Sequence, residues 1–479
     1  MADGEIAEVK HPFLLPSQIP YCGSPLVQPV GMRNAACSLE LSSTDHEAIR
    51  YFRKTVATIH HTKNPEFSVY AIIFDIAKDN AMVMHLVLAL GGREIEFRRN
   101  TITGRADDRG PESPLQHYCA ALRLVSESLE MQQRGLGDLE ALCSALFLML
   151  MYEQKFGDVQ GLGLTNHLNG AAWVITHYCK EIAASIVGAV GRAARPAALA
   201  RKSHAPSQRS LFMARLFIWI AIQDAAASTF RLGGQLNRAL HQAINIQDSA
   251  PWENFERINL FSSPLYRIMW ADRYPQVELL DDIENHHIYG LLCASSQLRC
   301  MVANFSLLDD LGKQRQEPVI ENAIEKVGYY YNDLFQVAGG LSLDTDNSHR
   351  LVANIRGIVP HYYAVVLEFH RANPRRKPQG QVQEIIELIM SLAAQDYRHG
   401  GDGSMVRIAW PLFVTAIVTD KCRYHDWIRN RLQSISKYGK NYERAYQYLV
   451  KMSQVGNAVG SRAGALEALD SVGLEAFVI

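Results

Sequence analysis

The sequence lacks cysteine pairs at the spacing that holds a metal ion. Its eight cysteines are scattered along 479 residues, and no two of them form a Cys-x-x-Cys pair. Zinc sites are commonly built from such local pairs, so the sequence predicts no metal site and no cofactor. Isolated thiols also favour a reduced, intracellular protein over a disulfide scaffold.

An excess of charge of either sign is missing as well. Lys plus Arg total 48 and Asp plus Glu total 49, which gives a net charge of −1. Nonspecific binding to nucleic acid or acidic lipid usually depends on an excess of positive charge. The balance therefore argues against strong nonspecific binding of this kind, although it is compatible with a local basic patch.

Neither a membrane-spanning run nor an apolar leader stands out. By inspection, no apolar run approaches the roughly 18 residues needed to cross a bilayer. The N-terminus is acidic and carries several prolines, without the apolar core of a secretory signal. We therefore expect no membrane association and a location in the nucleus or the cytoplasm.

Strand patterns are scarce, whereas apolar residues recur at helical spacing along most of the chain. Hydrophobic residues make up 48% of the sequence and charged residues 20%, which is enough to build a sizeable core. The fold prediction is all-α: a large bundle of roughly fifteen helices with no significant sheet. One of these helices is predicted to end at Gly91-Gly92.

Composition divides the chain into three parts. Residues 1–40 are rich in proline and predict an extended arm. Residues 41–455 form the helical domain, with a basic loop near 188–209. Within it, the run Leu211–Phe230 is apolar on nearly all sides and is expected in the centre of the bundle. The tail, 456–479, either frays or docks.

Several short motifs follow one another in a recognisable order. They are, in chain order, an opening segment at 41–94, Pro114–Leu122, Leu146–Glu153, His167-Leu168-Asn169-Gly170-Ala171, Gln223–Ser228 and Trp410-Pro411-Leu412-Phe413. In order and spacing they resemble the fungal-specific transcription factor domain, the regulatory region that follows a Zn2Cys6 DNA-binding cluster. The resemblance covers about 41–455.

The resemblance implies a helical regulator of transcription, often of local pathway genes that include those of secondary metabolism. The chain departs from the family at the DNA-binding module, because only Cys22 and Cys37 lie near its N-terminus. Direct sequence-specific DNA binding is therefore not expected. The chain would act as a co-regulator beside a DNA-binding partner protein, or as a fragment of a longer gene product.

Two hypotheses of function remain open from the sequence. The first is a regulator or co-regulator that binds a small apolar effector in its helical body, and a homodimer is compatible with it. The alternative is a cofactor-independent cyclase or isomerase of a secondary metabolite, recruited from the same fold.

Two polar residues in apolar surroundings are the catalytic candidates. Asp224 lies inside an apolar helix, where a carboxylate serves as a general acid or base or is held by hydrogen bonds. His167 is a candidate ligand contact or proton donor. Its structural alternative is a histidine that bonds a neighbouring backbone group, with Gly170 and the alanines after it forming a close helix crossing.

Three tryptophans are candidate ligand contacts: Trp173, Trp219 and Trp410. Their flat apolar rings suit stacking against a ligand. For Trp219 and Trp410, the alternative is burial in the core, which is the commoner role of this side chain.

Overall fold

The described part of the chain is built from helices alone. A computed structural model describes residues 39–103, 114–133, 138–178, 184, 207–244, 250–345, 349–373, 379–459 and 475–479. In these ranges the chain forms 17 helices of nine residues or more and no strand, which confirms the all-α prediction. Most of the predicted arm, 1–40, and of the basic loop, 188–209, lies outside the described residues.

Seven helices precede the sharp turn at Gly233-Gly234, and ten follow it. The first group is α1 (Ser43–Tyr51), α2 (Val69–Asp79), α3 (Ala81–Thr103), α4 (Pro114–Gln133), α5 (Leu139–Phe156), α6 (Leu162–Tyr178) and α7 (Gln208–Ser228). The second group is α8 (Gln235–Ala243), α9 (Pro251–Ser262), α10 (Gln276–Ser306), α11 (Asp310–Tyr330), α12 (Asn332–Gly340), α13 (Arg350–Ala372), α14 (Gln379–Met405), α15 (Ala409–Val418), α16 (Cys422–Ile435) and α17 (Lys440–Val459).

The start of α1 is fixed by a reciprocal cap. The Asp45 backbone N–H donates to Ser42 Oγ at 3.2 Å, and the Ser42 backbone N–H donates to Asp45 Oδ2 at 2.9 Å. Such a capping box satisfies backbone donors that a helix start leaves without partners. A π-helical turn, Phe52–Val56, continues α1 into a short helix, Ala57–His60.

The buried side chains form two hydrophobic clusters. The N-terminal cluster includes residues of α1 to α7, and the C-terminal cluster includes residues of α10 to α17. The longest helix, α10, contributes to both, because Cys293 belongs to the first cluster and Ile288 to the second. Phe230, just after α7, packs against both clusters. The two halves therefore share α10 and the end of α7.

Helix α7 is long and apolar enough to cross a membrane by length and composition. Its 21 residues have a mean hydropathy of 1.4 over an 18-residue window, so the expectation that no run reaches membrane length was wrong. Of that window, 78% is buried inside the protein. A single helix of this kind is weak evidence for a membrane span, because a core helix passes the same test. Its burial confirms the predicted central position.

Candidate functional site

An open cleft of about 980 Å³ lies between α1, its π-helical turn and α2. We call it the basic cleft. Its lining residues are His46, Ile49, Arg50, Arg53, Lys54, Asn64, Pro65, Glu66, Tyr70, Ala71, Phe74, Asp75, Lys78 and Trp270. A volume near the upper end of the range for small-molecule pockets is large enough to take a short stretch of peptide.

Cations dominate the rim of the basic cleft. Lys78 pairs with Asp75 at 2.5 Å, whereas Arg50, Arg53 and Lys54 make no ion pair with a carboxylate of the described residues. The last three side chains are exposed. A rim of unneutralised cations attracts an anionic ligand and speeds its approach.

Aromatic rings form the apolar part of the same cleft. The Arg53 guanidinium lies 5.0 Å from the centroid of the Phe74 ring, and Lys78 Nζ lies 5.4 Å from it. Phe74 and Trp270 are half-buried, so each still offers apolar surface to a ligand. The cleft thus combines positive charge with aromatic surface.

A π-helical turn in its wall is consistent with a functional role, since such turns are frequent at functional sites.

His167 lies within α6 and takes part in a three-residue cluster that joins three helices. Its Nε2 lies 3.1 Å from Tyr118 Oη on α4, and Tyr118 Oη donates to Glu153 Oε1 on α5 at 2.6 Å. Burial lowers the pKa of His167 and raises the pKa of Glu153. The ring of Tyr118 also stacks on Tyr152 at a centroid distance of 4.0 Å. This geometry favours a structural role for His167, but the partner of its ring is the Tyr118 side chain and not a neighbouring backbone group.

Gly170 corrects one part of that alternative. A Cβ built on Gly170 would meet no atom within 4 Å, so this glycine does not form a close helix crossing. The buried residues nearby are Leu168 and Ala171. The small-residue interpretation of the motif is therefore wrong at Gly170.

Asp224 is fully buried and caps a neighbouring helix. Its Oδ1 accepts from the Gly234 backbone N–H at 2.7 Å, and its Oδ2 accepts from the Asn237 backbone N–H at 2.9 Å and from Asn237 Nδ2 at 2.8 Å. These donors belong to the first turn of α8. Burial raises the pKa of Asp224, whereas the hydrogen bonds to its carboxylate partly offset this by lowering the pKa. Both carboxylate oxygens are occupied, and Asp224 does not line the basic cleft.

The three candidate tryptophans lie in separate places, and none lines the basic cleft. Trp173 is the most exposed and stacks on His177 at 4.5 Å. Trp219 is half-buried against His61, with ring centroids 5.2 Å apart. Trp410 is buried, and the Arg299 guanidinium lies over its ring, with Cζ 3.8 Å from the ring centroid. The tryptophan in the cleft is Trp270, which the sequence did not single out.

Among the residues that the structure describes, no group of three or more His, Cys, Asp or Glu side chains is arranged to hold a metal ion. The described cysteines are all free.

Comparison with known families assigns the chain. The model of the fungal specific transcription factor domain matches residues 47–452. The chain belongs to this family. No curated protein and no solved structure gives a significant match.

The family assignment confirms the resemblance read from the motifs. Three of those motifs, which lie on α4, α5 and α6, supply Tyr118, Glu153 and His167 to one partly buried joint. In this member of the fungal specific transcription factor domain family, the motifs thus mark a packing joint. The sequence had pointed to His167 but not to its partners, although both partners stand inside quoted motifs.

Proposed function

We propose that this chain is a transcription co-regulator that works through protein contacts made by the basic cleft. The family match over residues 47–452 supports a role in transcription regulation. The proposal rests mainly on three cations that lie beside the aromatic rings of the cleft, Arg50, Arg53 and Lys54. These cations make no ion pair with a carboxylate of the described residues. An acidic segment with interspersed apolar side chains matches this lining better than a small apolar effector does.

The finer parts of the proposal follow from the family. Within the 479 residues no two cysteines form a Cys-x-x-Cys pair, so we place the DNA contact on a partner protein. The chain would act in the nucleus on a limited set of pathway genes, secondary metabolism included. The occupied carboxylate of Asp224 and the bonded ring of His167 give no support to the cyclase or isomerase alternative.

Peptide binding by the purified chain tests the role of the cleft. A fluorescent peptide that alternates Asp or Glu with Phe or Leu should bind, and binding should weaken as salt increases because the rim charges are screened. The double variant Arg50→Glu/Lys54→Glu should weaken binding at least about tenfold, as expected from reversing cations at a charge-complementary surface.

The matched control carries the same change of charge elsewhere. Arg398 and Lys451 are exposed and do not line the cleft, so Arg398→Glu/Lys451→Glu should bind the peptide nearly as well as the unchanged chain. Equal weakening by both double variants would mean that net charge, and not the cleft, holds the peptide.

A gel-shift assay tests the separation of roles. The purified chain alone should shift no promoter fragment specifically. Tight, sequence-specific binding by the chain on its own would refute the need for a DNA-binding partner.

A further inference from the structure

Residues 475–479 return to the bundle and occupy a groove between its two halves. Phe477, Val478 and Ile479 are each more than nine-tenths buried. Phe477 and Ile479 belong to the C-terminal cluster, whereas Val478 belongs to the N-terminal cluster. Three successive side chains of an extended segment therefore join both cores.

Side chains of the helical body hold the backbone of this segment. The Ile479 main-chain oxygen accepts from Arg299 Nη2 at 2.9 Å, and the Val478 carbonyl oxygen accepts from Asn441 Nδ2 at 2.9 Å. The Ala476 carbonyl oxygen accepts from Arg444 Nη1 at 3.1 Å. The main-chain oxygens of three of these residues are thus bound by guanidinium and amide donors, which is how a cleft recognises an extended peptide without requiring one particular side chain.

Aromatic rings surround the side chain of Phe477. The ring of Phe477 lies 4.6 Å from that of Phe230 and 5.4 Å from that of Phe413, measured between centroids. Phe413 stands in the Trp410–Phe413 motif, and Trp410 lies under the Arg299 guanidinium. The Trp410–Phe413 motif, one of those that carry the resemblance to the family, therefore contributes to the wall of this groove.

We propose that this groove is a peptide-binding site, which the chain fills with its own residues 475–479. Its external ligand is an extended segment with an aromatic residue followed by two aliphatic residues, and such a segment competes with the chain's own.

The segment is short enough to exchange with a ligand. Its five residues form no helix and pair with no strand. Burial of three apolar side chains favours the bound state, whereas ordering five backbone residues opposes it. The two effects are of similar size, so a competing segment of the same pattern needs only a modest advantage.

Removal of the segment provides the direct test. A chain that ends at Leu474 is mixed with a fluorescent peptide of residues 473–479, and binding is followed by anisotropy. The shortened chain should bind the peptide, and the intact chain should bind it at least about tenfold more weakly because its own segment occupies the groove. A Phe477→Ala peptide should lose at least about tenfold in affinity for the shortened chain.

Two full-length variants keep the test decisive if the shortened chain fails to fold. Phe477→Ala in the full chain should loosen the segment and admit the peptide. The control Tyr329→Ala, which removes an exposed ring of α11 outside the segment, should leave the groove blocked. Equal peptide binding by the intact chain and the Phe477→Ala chain, or no binding by a folded shortened chain, would overturn the proposal.

Discussion

At the scale of single residues, Asp224 shows how one buried carboxylate can position a turn. It lies near the end of α7, and its oxygens hold the start of α8 across Gly233-Gly234. Gly234 has a φ of +101°, a region that L side chains rarely adopt. The carboxylate thus stabilises a turn that only glycine adopts easily.

Asp224→Asn should destabilise the protein by about 1–3 kcal/mol, the usual cost of a buried polar group left without a partner. The new amide group would face the Asn237 donors, and two donors cannot bond to each other. The free energy of unfolding in urea measures the loss.

The control for this change is Asp309→Asn. Asp309 Oδ1 accepts from the Gly312 backbone N–H at 2.8 Å at an exposed cap of α11, where Asn caps as well as Asp. Its cost should stay below about 0.5 kcal/mol. If both variants cost the same, burial of Asp224 would not be what matters.

Glu140 predicts a pH dependence of stability. Burial raises the pKa of Glu140 to about 7 from its ordinary value of 4.5. Glu140 makes its full contribution to the free energy of unfolding below pH 4.5. This contribution is lost as the pH rises to about 7, because the Glu140 carboxyl releases its proton at a lower pH in the unfolded chain than in the folded one. Glu140→Gln should match the unchanged chain near the acid end of this window. Above the window it should be more stable by about 3 kcal/mol.

Thermal melting across the window of that titration measures the effect. A constant difference between the Glu140→Gln variant and the unchanged chain at every pH would contradict the assignment of the titration to this carboxyl.

The sequence could single out anomalous residues but not their partners. Asp224 and His167 stand out because polar groups are rare in apolar helices. Asn237 and Tyr118, which bond to them, lie 13 and 49 positions away, and their approach depends on how the helices pack. Trp270 carried no such anomaly and was missed for that reason.

At the scale of helices, glycine has two opposite roles in this chain. A Cβ on Gly91 would lie 2.4 Å from the Ala48 carbonyl oxygen, so this glycine lets α3 contact α1 closely. Gly170 meets nothing within 4 Å. The same residue type is thus required for packing at one position and merely costs helix stability at the other.

Gly91→Ala should therefore destabilise the protein by about 1–3 kcal/mol, in the range of an overpacked core. Gly170→Ala should stabilise it by about 0.5–1 kcal/mol, because alanine restricts the unfolded chain and favours a helix. Unfolding in urea measures both changes. A gain in stability from both would contradict the close contact at Gly91.

Helical periodicity predicted most helices but misplaced one end. Gly91-Gly92 was expected to end a helix, and this prediction was wrong, because α3 continues to Thr103. Glycine is a weak helix former, but the contact with Ala48 requires it, and packing outweighs local propensity here. The sequence around Gly91 could not reveal a neighbour on another helix.

At the scale of the whole molecule, a buried charge network ties the chain before α2 to the second half. Lys63 Nζ lies 2.5 Å from Asp282 Oδ1 and donates to Tyr274 Oη at 2.7 Å. Arg350 Nη2 lies 2.5 Å from Asp281 Oδ2. Lys63 is only 3% exposed. The adjacent acids of α10 are therefore neutralised by cations from two distant segments.

Lys63→Met should destabilise the protein by about 3–5 kcal/mol, because the half-buried Asp282 and the buried Glu278, 3.6 Å from Lys63 Nζ, then lose this cation. The control is Lys78→Met, which breaks a pair of equal length, 2.5 Å, between exposed side chains. That change should cost less than about 1 kcal/mol. Denaturant unfolding compares the two, and equal costs would show that the network is not effectively buried.

Long-range assembly is the part that the sequence could not predict. Fold class followed from periodicity and family from the order of the motifs. The joining of Lys63 to Asp282 spans 219 positions, and the docking of Val478 on Gln154 spans 324. Such pairings arise from the packing of many helices, and no local pattern carries them.

The π-helical turn at Phe52–Val56 makes the basic cleft sensitive to a change in chain length. Such a turn closes from residue i to residue i+5 and so holds one residue more than an α-helical turn. Removing one residue would rotate α1 by roughly 100° relative to the anchored chain after it. His46 and Arg50 would then turn away from the wall that carries Phe74. Loss of a single codon could thus dismantle the cleft in one evolutionary step, even if every charge were kept.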